Sequence, residues 1–247
     1  MAESQGLLSV ENLSRAFGGL RALRQVGFAL AGGEILGLMG PNGSGKTTLL
    51  NCIAGALRPD SGTVHLRGDL ITGLPAHQIL RRGVARTFQF VRPFPHMTVA
   101  DNVLVGRLYG RGRDGSLAAA RRAVGEMLDF VGLVGRDHLL ARQLTTIDRK
   151  RVELARCLAT EPELLLLDEL MAGLNPAEAM AATDLIRRIR ARGITVIMVE
   201  HNVRAVLEVS DRIMVLHHGE KIAEGRPEEI VHDPQVIEAY LGTTTHA

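Results

Sequence analysis

Gly40-Pro41-Asn42-Gly43-Ser44-Gly45-Lys46-Thr47-Thr48 follows the apolar run Glu34 to Met39, which reads as a buried strand. Beyond it, Thr47 to Ala54 has helical spacing and stops at Gly55, a natural C-cap. Strand, glycine-rich turn and helix form the context in which GxxxxGK[ST] cradles a polyphosphate. Gly40, Gly43 and Gly45 lack a Cβ, so the loop can turn its backbone N–H groups inward, and the helix N-terminus adds its dipole. Lys46 is placed to reach the β- and γ-phosphates, and the Thr47 hydroxyl to ligand Mg²⁺. A glycine-rich turn with no ligand is the bland alternative, and the flanking strand and helix patterns argue against it.

Working outward, Leu7 to Leu13, Val26 to Leu30 and Gly62 to Arg67 alternate as short strands, so the first third is strand-rich. From about Thr98 to Pro162 the pattern becomes helical. Thr98-Val-Ala-Asp101 is a capping box, and Ser116 caps a helix with Leu117, Ala120, Val124, Leu128 and Val131 on one face. Thr145-Thr-Ile-Asp148 opens another helix, which Pro162 is expected to stop at Thr160 or Glu161. Leu164 to Leu167, Ile194 to Val199 and Arg212 to Leu216 read as buried parallel strands, the first two separated by a helix from Pro176 to Arg192. That βαβ rhythm predicts an α/β fold with a mixed or parallel core sheet. The expected organisation is one domain over 7–242, with 7–95 and 160–242 forming the core and 96–159 inserted as a helical subdomain.

The 247 residues, 46% of them hydrophobic, suffice for a full core. A net charge of +2 spread along the chain and 3% aromatic content give no basic, aromatic-laced stripe for nucleic acid. Cys52 and Cys157 stand alone, without metal-ligand spacing, and read as small core residues in a reducing compartment. The N-terminus has no signal-peptide pattern, and no window is apolar enough to span a bilayer. The expectation is a protein that neither crosses a membrane nor enters the secretory path by itself.

Leu164-Leu-Leu-Leu-Asp168-Glu169 sets two carboxylates at the C-terminal end of an apolar strand, where open α/β sheets bind ligands. If the extended geometry persists, the two point in different directions and can divide the work. Asp168 suits Mg²⁺ and its waters, and Glu169 suits polarising the water that attacks a γ-phosphate.

With these two motifs in order, the chain resembles the ATP-binding cassette family from about Leu7 to Gly242. Three further stretches carry the likeness: Thr87-Phe-Gln89-Phe, Ala172-Gly-Leu-Asn175 and Val199-Glu-His201-Asn. The resemblance implies a P-loop ATPase with an N-terminal antiparallel β subdomain and an inserted helical subdomain, binding ATP and Mg²⁺. It implies that Gln89 meets Mg²⁺ or the attacking water, that Asn175 lies in the turn beside the nucleotide, and that His201 contacts the γ-phosphate. Phe17 falls where the family stacks an aromatic on adenine, core packing being the alternative. A lone histidine after a strand would otherwise be a polar end cap.

The signature departs from the family pattern. Leu-Ser-Gly-Gly-Gln is replaced by Leu144-Thr145-Thr146-Ile147-Asp148. Thr145 keeps a hydroxyl at a helix N-terminus, but Thr146 and Ile147 restrict close approach to a phosphate, and Asp148 adds negative charge. Completing the helix cap is an equally good role for Asp148. Because family members clamp ATP between two cassettes, the resemblance implies a second, non-identical cassette subunit with a more usual signature, or else a self dimer.

Gly83 to Gln89, Pro93 to Val103, Leu167 to Pro176 and the ending Pro234 to Gly242 are most similar to the larger cassette of bacterial branched-chain amino acid importers and their relatives for amides. That likeness implies two integral membrane permeases, a periplasmic substrate-binding protein and a peripheral position on the cytoplasmic face of the inner membrane. Phe90, Phe94, Pro95 and Met97 are candidates for the groove that receives a permease helix. Cassettes of DNA repair or translation carry coiled-coil insertions, zinc cysteines or a second cassette, none of which is visible here. Motifs alone leave open a scaffold ATPase of iron–sulfur cluster assembly.

Overall fold

Gly18 and Gly19 turn β1 (Leu8–Phe17) back on β2 (Leu20–Leu30) in the computed structural model, which describes residues 6–88, 93–111 and 116–241. With β4 (Ser61–Leu66) and β5 (Asp69–Leu70) they form an antiparallel sheet in the order β2-β1-β4-β5. Both long strands outrun the alternation seen in the sequence. Register shifts in the β1–β2 pairing after Val10 and after Leu13 break the period of two, so the periodic signal fades while the ladder continues to Phe17.

The second sheet runs β10 (Glu220–Gly225), β9 (Arg212–His217), β3 (Ile35–Met39), β8 (Thr195–Val199), β7 (Leu164–Asp168), β6 (Val84–Arg86). β10 is antiparallel to β9, and the other pairs are parallel. Parallel strands are buried on both faces, which is why β3, β7 and β8 read as unbroken apolar runs. Alternate residues still serve different layers. Leu36, Leu38, Leu164, Leu166, Ile197 and Val199 pack with the antiparallel sheet and α1 (Lys46–Ile53). Ile35, Met39, Leu165, Leu167, Val196 and Met198 pack with the helices of the opposite face.

Those helices include α3 (Val99–Tyr109), α4 (Leu117–Phe130) and α5 (Thr146–Leu158), which lie between β6 and β7 in sequence and whose apolar faces join the same core cluster. Thr98, Ser116 and Thr145 are their N-caps, accepting the N–H of Asp101, Ala119 and Asp148 at 3.0, 3.2 and 3.2 Å. Two expectations need correction. Leu117 is 54% exposed, because it sits in the first turn of α4 before the helix meets the core that buries Val124 and Leu128. α5 ends at Leu158 rather than at Thr160 or Glu161; Glu161, ahead of Pro162, is already left-handed with φ 56°. α6 (Pro176–Ala191) is the crossover between β7 and β8. The remaining α-helices among the described residues are short: α2 (Ala76–Arg81), α7 (Val203–Val209), α8 (Pro227–Ile230) and α9 (Pro234–Leu241). No helix among the described residues is long and apolar enough to cross a membrane.

Leu165 of β7 is fully buried against the helices of the opposite face. Leu165→Ala is expected to cost about 2–5 kcal/mol, lost transfer energy plus a cavity, read as a lowered urea midpoint at unchanged slope.

Candidate functional site

The loop between β3 and α1 is gripped by backbone on both sides. Gly40 has φ 141°, and a Cβ there would lie 2.0 Å from the Leu216 carbonyl oxygen. Gly45 has φ 107°, and its Cβ would lie 2.4 Å from the Ala22 carbonyl oxygen. Neither position admits a side chain. The turn between β9 and β10 supports the loop, Gly219 N–H donating to the Ser44 carbonyl at 3.1 Å. From α9, the Tyr240 hydroxyl accepts the Gly40 N–H at 2.8 Å. Lys46 is buried with its ammonium donating to the Gly40 and Pro41 carbonyls at 2.7 and 2.9 Å. Burial lowers its pKa, while Glu169 and Asp168 pull it back up. Asn42, Gly43 and Thr47 are exposed, Thr48 is half-buried, and Ser44 is buried with its hydroxyl unpaired among the described residues.

β7 delivers Asp168 beside this loop. One carboxylate oxygen, Oδ2, accepts Arg86 Nη2 at 2.8 Å, and Oδ1 is buried without a hydrogen-bond partner among the described residues. The extended geometry does not persist to Glu169, whose φ is 53° and whose N–H donates to the Val199 carbonyl at 2.9 Å. The acids still diverge, for this different reason: Asp168 faces Arg86, and Glu169 Oε1 lies 2.9 Å from His201 Nε2.

The structure therefore gathers the loop 40–48, Asp168, Glu169 and His201 at the C-terminal ends of β3, β7 and β8. Phe17 is 47% exposed at the β1–β2 turn, not packed in the core, with the Arg15 guanidinium 5.0 Å from its ring centroid. Thr145 and Asn175 are occupied otherwise. The Thr145 hydroxyl donates to Asp148 Oδ2 at 2.8 Å, and Asn175 caps α6 in a reciprocal box with Glu178 at 2.9 and 3.0 Å. Asp148 is buried and ion-paired with Arg136 and, at 3.6 Å, with Arg151, so the negative charge expected to repel an anion is locally compensated. Gln89 and Phe90 lie outside the described residues, as does Gly242.

Four residues that contact the loop, the acids or the turn after them escape the sequence reading. Arg86 sits in a three-residue strand too short to show a period. Lys150 of α5 donates to the carbonyls of Leu170 and Ala172 at 2.9 and 2.6 Å, bracing the turn after Glu169. Glu200, buried, accepts the Met171 N–H at 2.8 Å, and burial raises its pKa to about 7. Tyr240 is the fourth. Only Glu200 had a sequence signal, a carboxylate closing the apolar run Ile194 to Val199 as Asp168 closes its own.

A phosphate cradle, a buried lysine and divergent carboxylates at the carboxyl edge of a mixed sheet define a P-loop nucleoside-triphosphatase. The chain matches the family described as "ABC transporter" over residues 23–172 and that described as "Branched-chain amino acid ATP-binding cassette transporter" over residues 220–246. It belongs to the ATP-binding cassette transporter family, as an ATP-hydrolysing subunit. It is 44% identical to the high-affinity branched-chain amino acid transport ATP-binding protein LivG of Salmonella typhimurium, over 97% of this chain and 99% of that protein. The crystal structure of the ADP conformation of MJ1267, an ATP-binding cassette of an ABC transporter, superposes with a TM-score of 0.86 at 32% identity, covering 96% of this chain and 98% of that one. A dimeric post-hydrolysis structure of the cassette MJ0796, bound to ADP and Pi, gives a TM-score of 0.81 at 25% identity over 89% of this chain and 98% of that one.

The raised Glu200 pKa has a signed consequence. A carboxyl that holds its proton more tightly when folded contributes stability that is complete below its ordinary value of 4.5 and is lost as pH rises through about 7. Glu200→Gln keeps an oxygen for the Met171 N–H and removes the titration. The parent chain is expected to lose up to about 3 kcal/mol of unfolding free energy across that window relative to the variant, measured by urea titration at each pH. Parallel pH profiles would refute the assignment.

Proposed function

We propose that the chain binds ATP as its Mg²⁺ complex in the cradle 40–48, hydrolyses it at Glu169, and powers import of branched-chain amino acids or related amides as half of a cassette dimer. The observation that carries the reading is the 2.9 Å contact between Glu169 Oε1 and His201 Nε2 beside a buried lysine. Lys46 exchanges its two loop carbonyls for phosphate oxygens, and the Gly43 to Lys46 amides at the start of α1 meet the remaining charge. Glu169 accepts a proton from the attacking water, and His201 holds that carboxylate in place and faces the γ-phosphate. Gln89 is assigned to the same water. Phe17, exposed at its turn, offers a ring face to adenine, with Asn175 beside the nucleotide.

The residues fit magnesium. Asp168 Oδ1 is a buried acceptor with no protein partner among the described residues, and a hydroxyl, one carboxylate and phosphate oxygens are a usual Mg²⁺ set. Thr47 and Asp168 would hold the ion, with Gln89, and when bound it would supply positive charge to offset that developing on the phosphates.

Thr145 would complete the second site of the dimer, opposite an unlike cassette. The likeness to LivG, named for branched-chain amino acid transport, supports the cargo class, and with it we assign the chain two permeases, a periplasmic binding protein upstream and a peripheral place at the cytoplasmic face. An apolar groove of about 300 Å³ lined by Leu80, Val84, Phe88, Val105 and Tyr109 is suited to a permease helix. Phe94 stands near it under Arg156, whereas Pro95 and Met97 accept backbone N–H groups from Arg142 and Ala141 and belong to the neighbouring turn. Helix 96–159 segments would move with that groove against the core when ATP closes the dimer.

Glu169→Gln in the assembled transporter is expected to lower ATP turnover at least 100-fold while calorimetric ATP affinity stays within threefold. Turnover near the parent level would refute the base assignment. In proteoliposomes carrying the cognate permeases and binding protein, leucine, isoleucine or valine is expected to stimulate turnover several-fold, and sugars not at all. Stimulation by a sugar alone would overturn the cargo class.

A further inference from the structure

Arg86 is placed as no other cation of the site is. Its side chain is 5% exposed and that of Asp168 is 1% exposed, so the pair is a desolvated ion pair. The guanidinium also reaches Asn51 Oδ1 on α1. Its backbone carbonyl accepts the Cys157 thiol at 3.1 Å from α5. On its outer side it stands 5.5 Å from the centroid of the Phe88 ring, and both residues line the apolar groove. The Phe88 N–H is held in turn by Glu153 of α5 at 3.0 Å. One residue thus touches the phosphate-loop helix, the carboxylate strand, the signature helix and the groove.

The register fixes this arrangement. Arg86 pairs with Leu166 across β6 and β7, so Asp168, two residues further, lies diagonally on the same face. The pair is also incomplete. Arg86 Nε and Asp168 Oδ1 are both buried without hydrogen-bond partners among the described residues. A buried ion pair is a weak stabiliser even when every atom is satisfied, and each orphaned atom adds a penalty. The orphan on the acid is an acceptor, while its other oxygen is held by a guanidinium that Asn51 also binds.

We propose that Arg86 is a positioning residue for magnesium: it pins Asp168 so that Oδ1 is presented to the ion, and it reports the ion's arrival to the groove through Phe88. This rests on the magnesium reading given above. When Asp168 shares its charge with a divalent cation, its hold on the guanidinium weakens, and the ring face of Phe88 becomes the competing partner. The linkage is reciprocal, so a helix pressed on Phe88 changes the affinity of the site for Mg²⁺ by the same factor.

The chain contains no tryptophan, so Phe88→Trp gives the purified full chain one indole reporter at the groove. Its emission is expected to change on adding ATP with Mg²⁺ and not on adding ATP with EDTA. Adding Arg86→Lys, which keeps the charge and loses the fork, is expected to abolish most of that change. It should also raise the Mg²⁺ midpoint for ATP binding about tenfold, leaving metal-free ATP affinity nearly unmoved. An unchanged signal and midpoint would overturn the proposal, and so would equal loss of metal-free ATP binding, which marks a general structural role. Should Arg86→Lys not fold, Asn51→Ala unties the guanidinium from α1 and is expected to shift the Mg²⁺ midpoint several-fold in the same direction; no shift overturns the proposal. If the parent chain bound ATP without any dependence on magnesium, the magnesium reading itself would fail first.

Discussion

Two backbone carbonyls, those of Leu216 and Ala22, leave room at Gly40 and Gly45 for hydrogen and nothing larger. The phosphate loop is thereby wedged between the core sheet, which supplies Leu216, and the antiparallel sheet, which supplies Ala22. A loop held this way cannot relax when charge arrives, so its amides are oriented before a phosphate is present. The same wedge joins the two sheets, since Gly219, whose N–H supports Ser44, also accepts the Arg24 N–H at 2.8 Å. Binding and folding therefore draw on one set of contacts, and a side chain added at either glycine would disturb both.

Around that wedge the chain buries more charge than its stability alone requires. Lys46, Asp168, Glu200, Lys150 and Arg86 are all buried, and each has at least one hydrogen-bond partner. Lys46 lies on two carbonyls, Lys150 on the backbone of the turn after Glu169, and Glu200 on the Met171 amide. Each uses main-chain dipoles, which do not titrate and move only with the fold. These contacts form a floor beneath Glu169 and His201, in which the histidine side chain is more than half exposed.

How far this was legible depended on distance along the chain. The strand–loop–helix at 34–55, the caps Thr98, Ser116 and Thr145, and the apolar runs of β7, β8 and β9 are local patterns and could be read. Arg86 could not, because its partner is 82 positions away and its strand has three residues. Lys150 looked like any helix-surface lysine until the turn it braces was in place. Register shifts erased the alternation in β1 beyond Leu13, and short elements such as α7 and α8 carry too few turns for a periodic signal. Asp168 and Glu169 were legible because they close a buried strand, whereas His201 stood out only through the family resemblance, since a histidine after a strand reads otherwise as a polar end cap. The backbone turn at Glu169 was not, because nothing in a Leu-Asp-Glu-Leu run announces a positive φ.

The altered signature Leu144 to Asp148 differs from the common pattern in charge, in hydroxyl and in bulk. Its electrostatic handicap is small, since Arg136 and Arg151 compensate Asp148 and the N-terminal dipole of α5 is retained. Its hydroxyl is diminished, because Thr145 already donates to Asp148. What remains is steric: exposed Thr146 and half-buried Ile147 stand where the common pattern has two glycines. A β-branched side chain at each position keeps an incoming phosphate farther from the amides of the first turn, and amide–phosphate attraction falls steeply with that separation. The cost therefore falls on the site that this helix would complete on another subunit and not on the cradle built around Lys46. That asymmetry supports the proposed pairing of this chain with an unlike cassette.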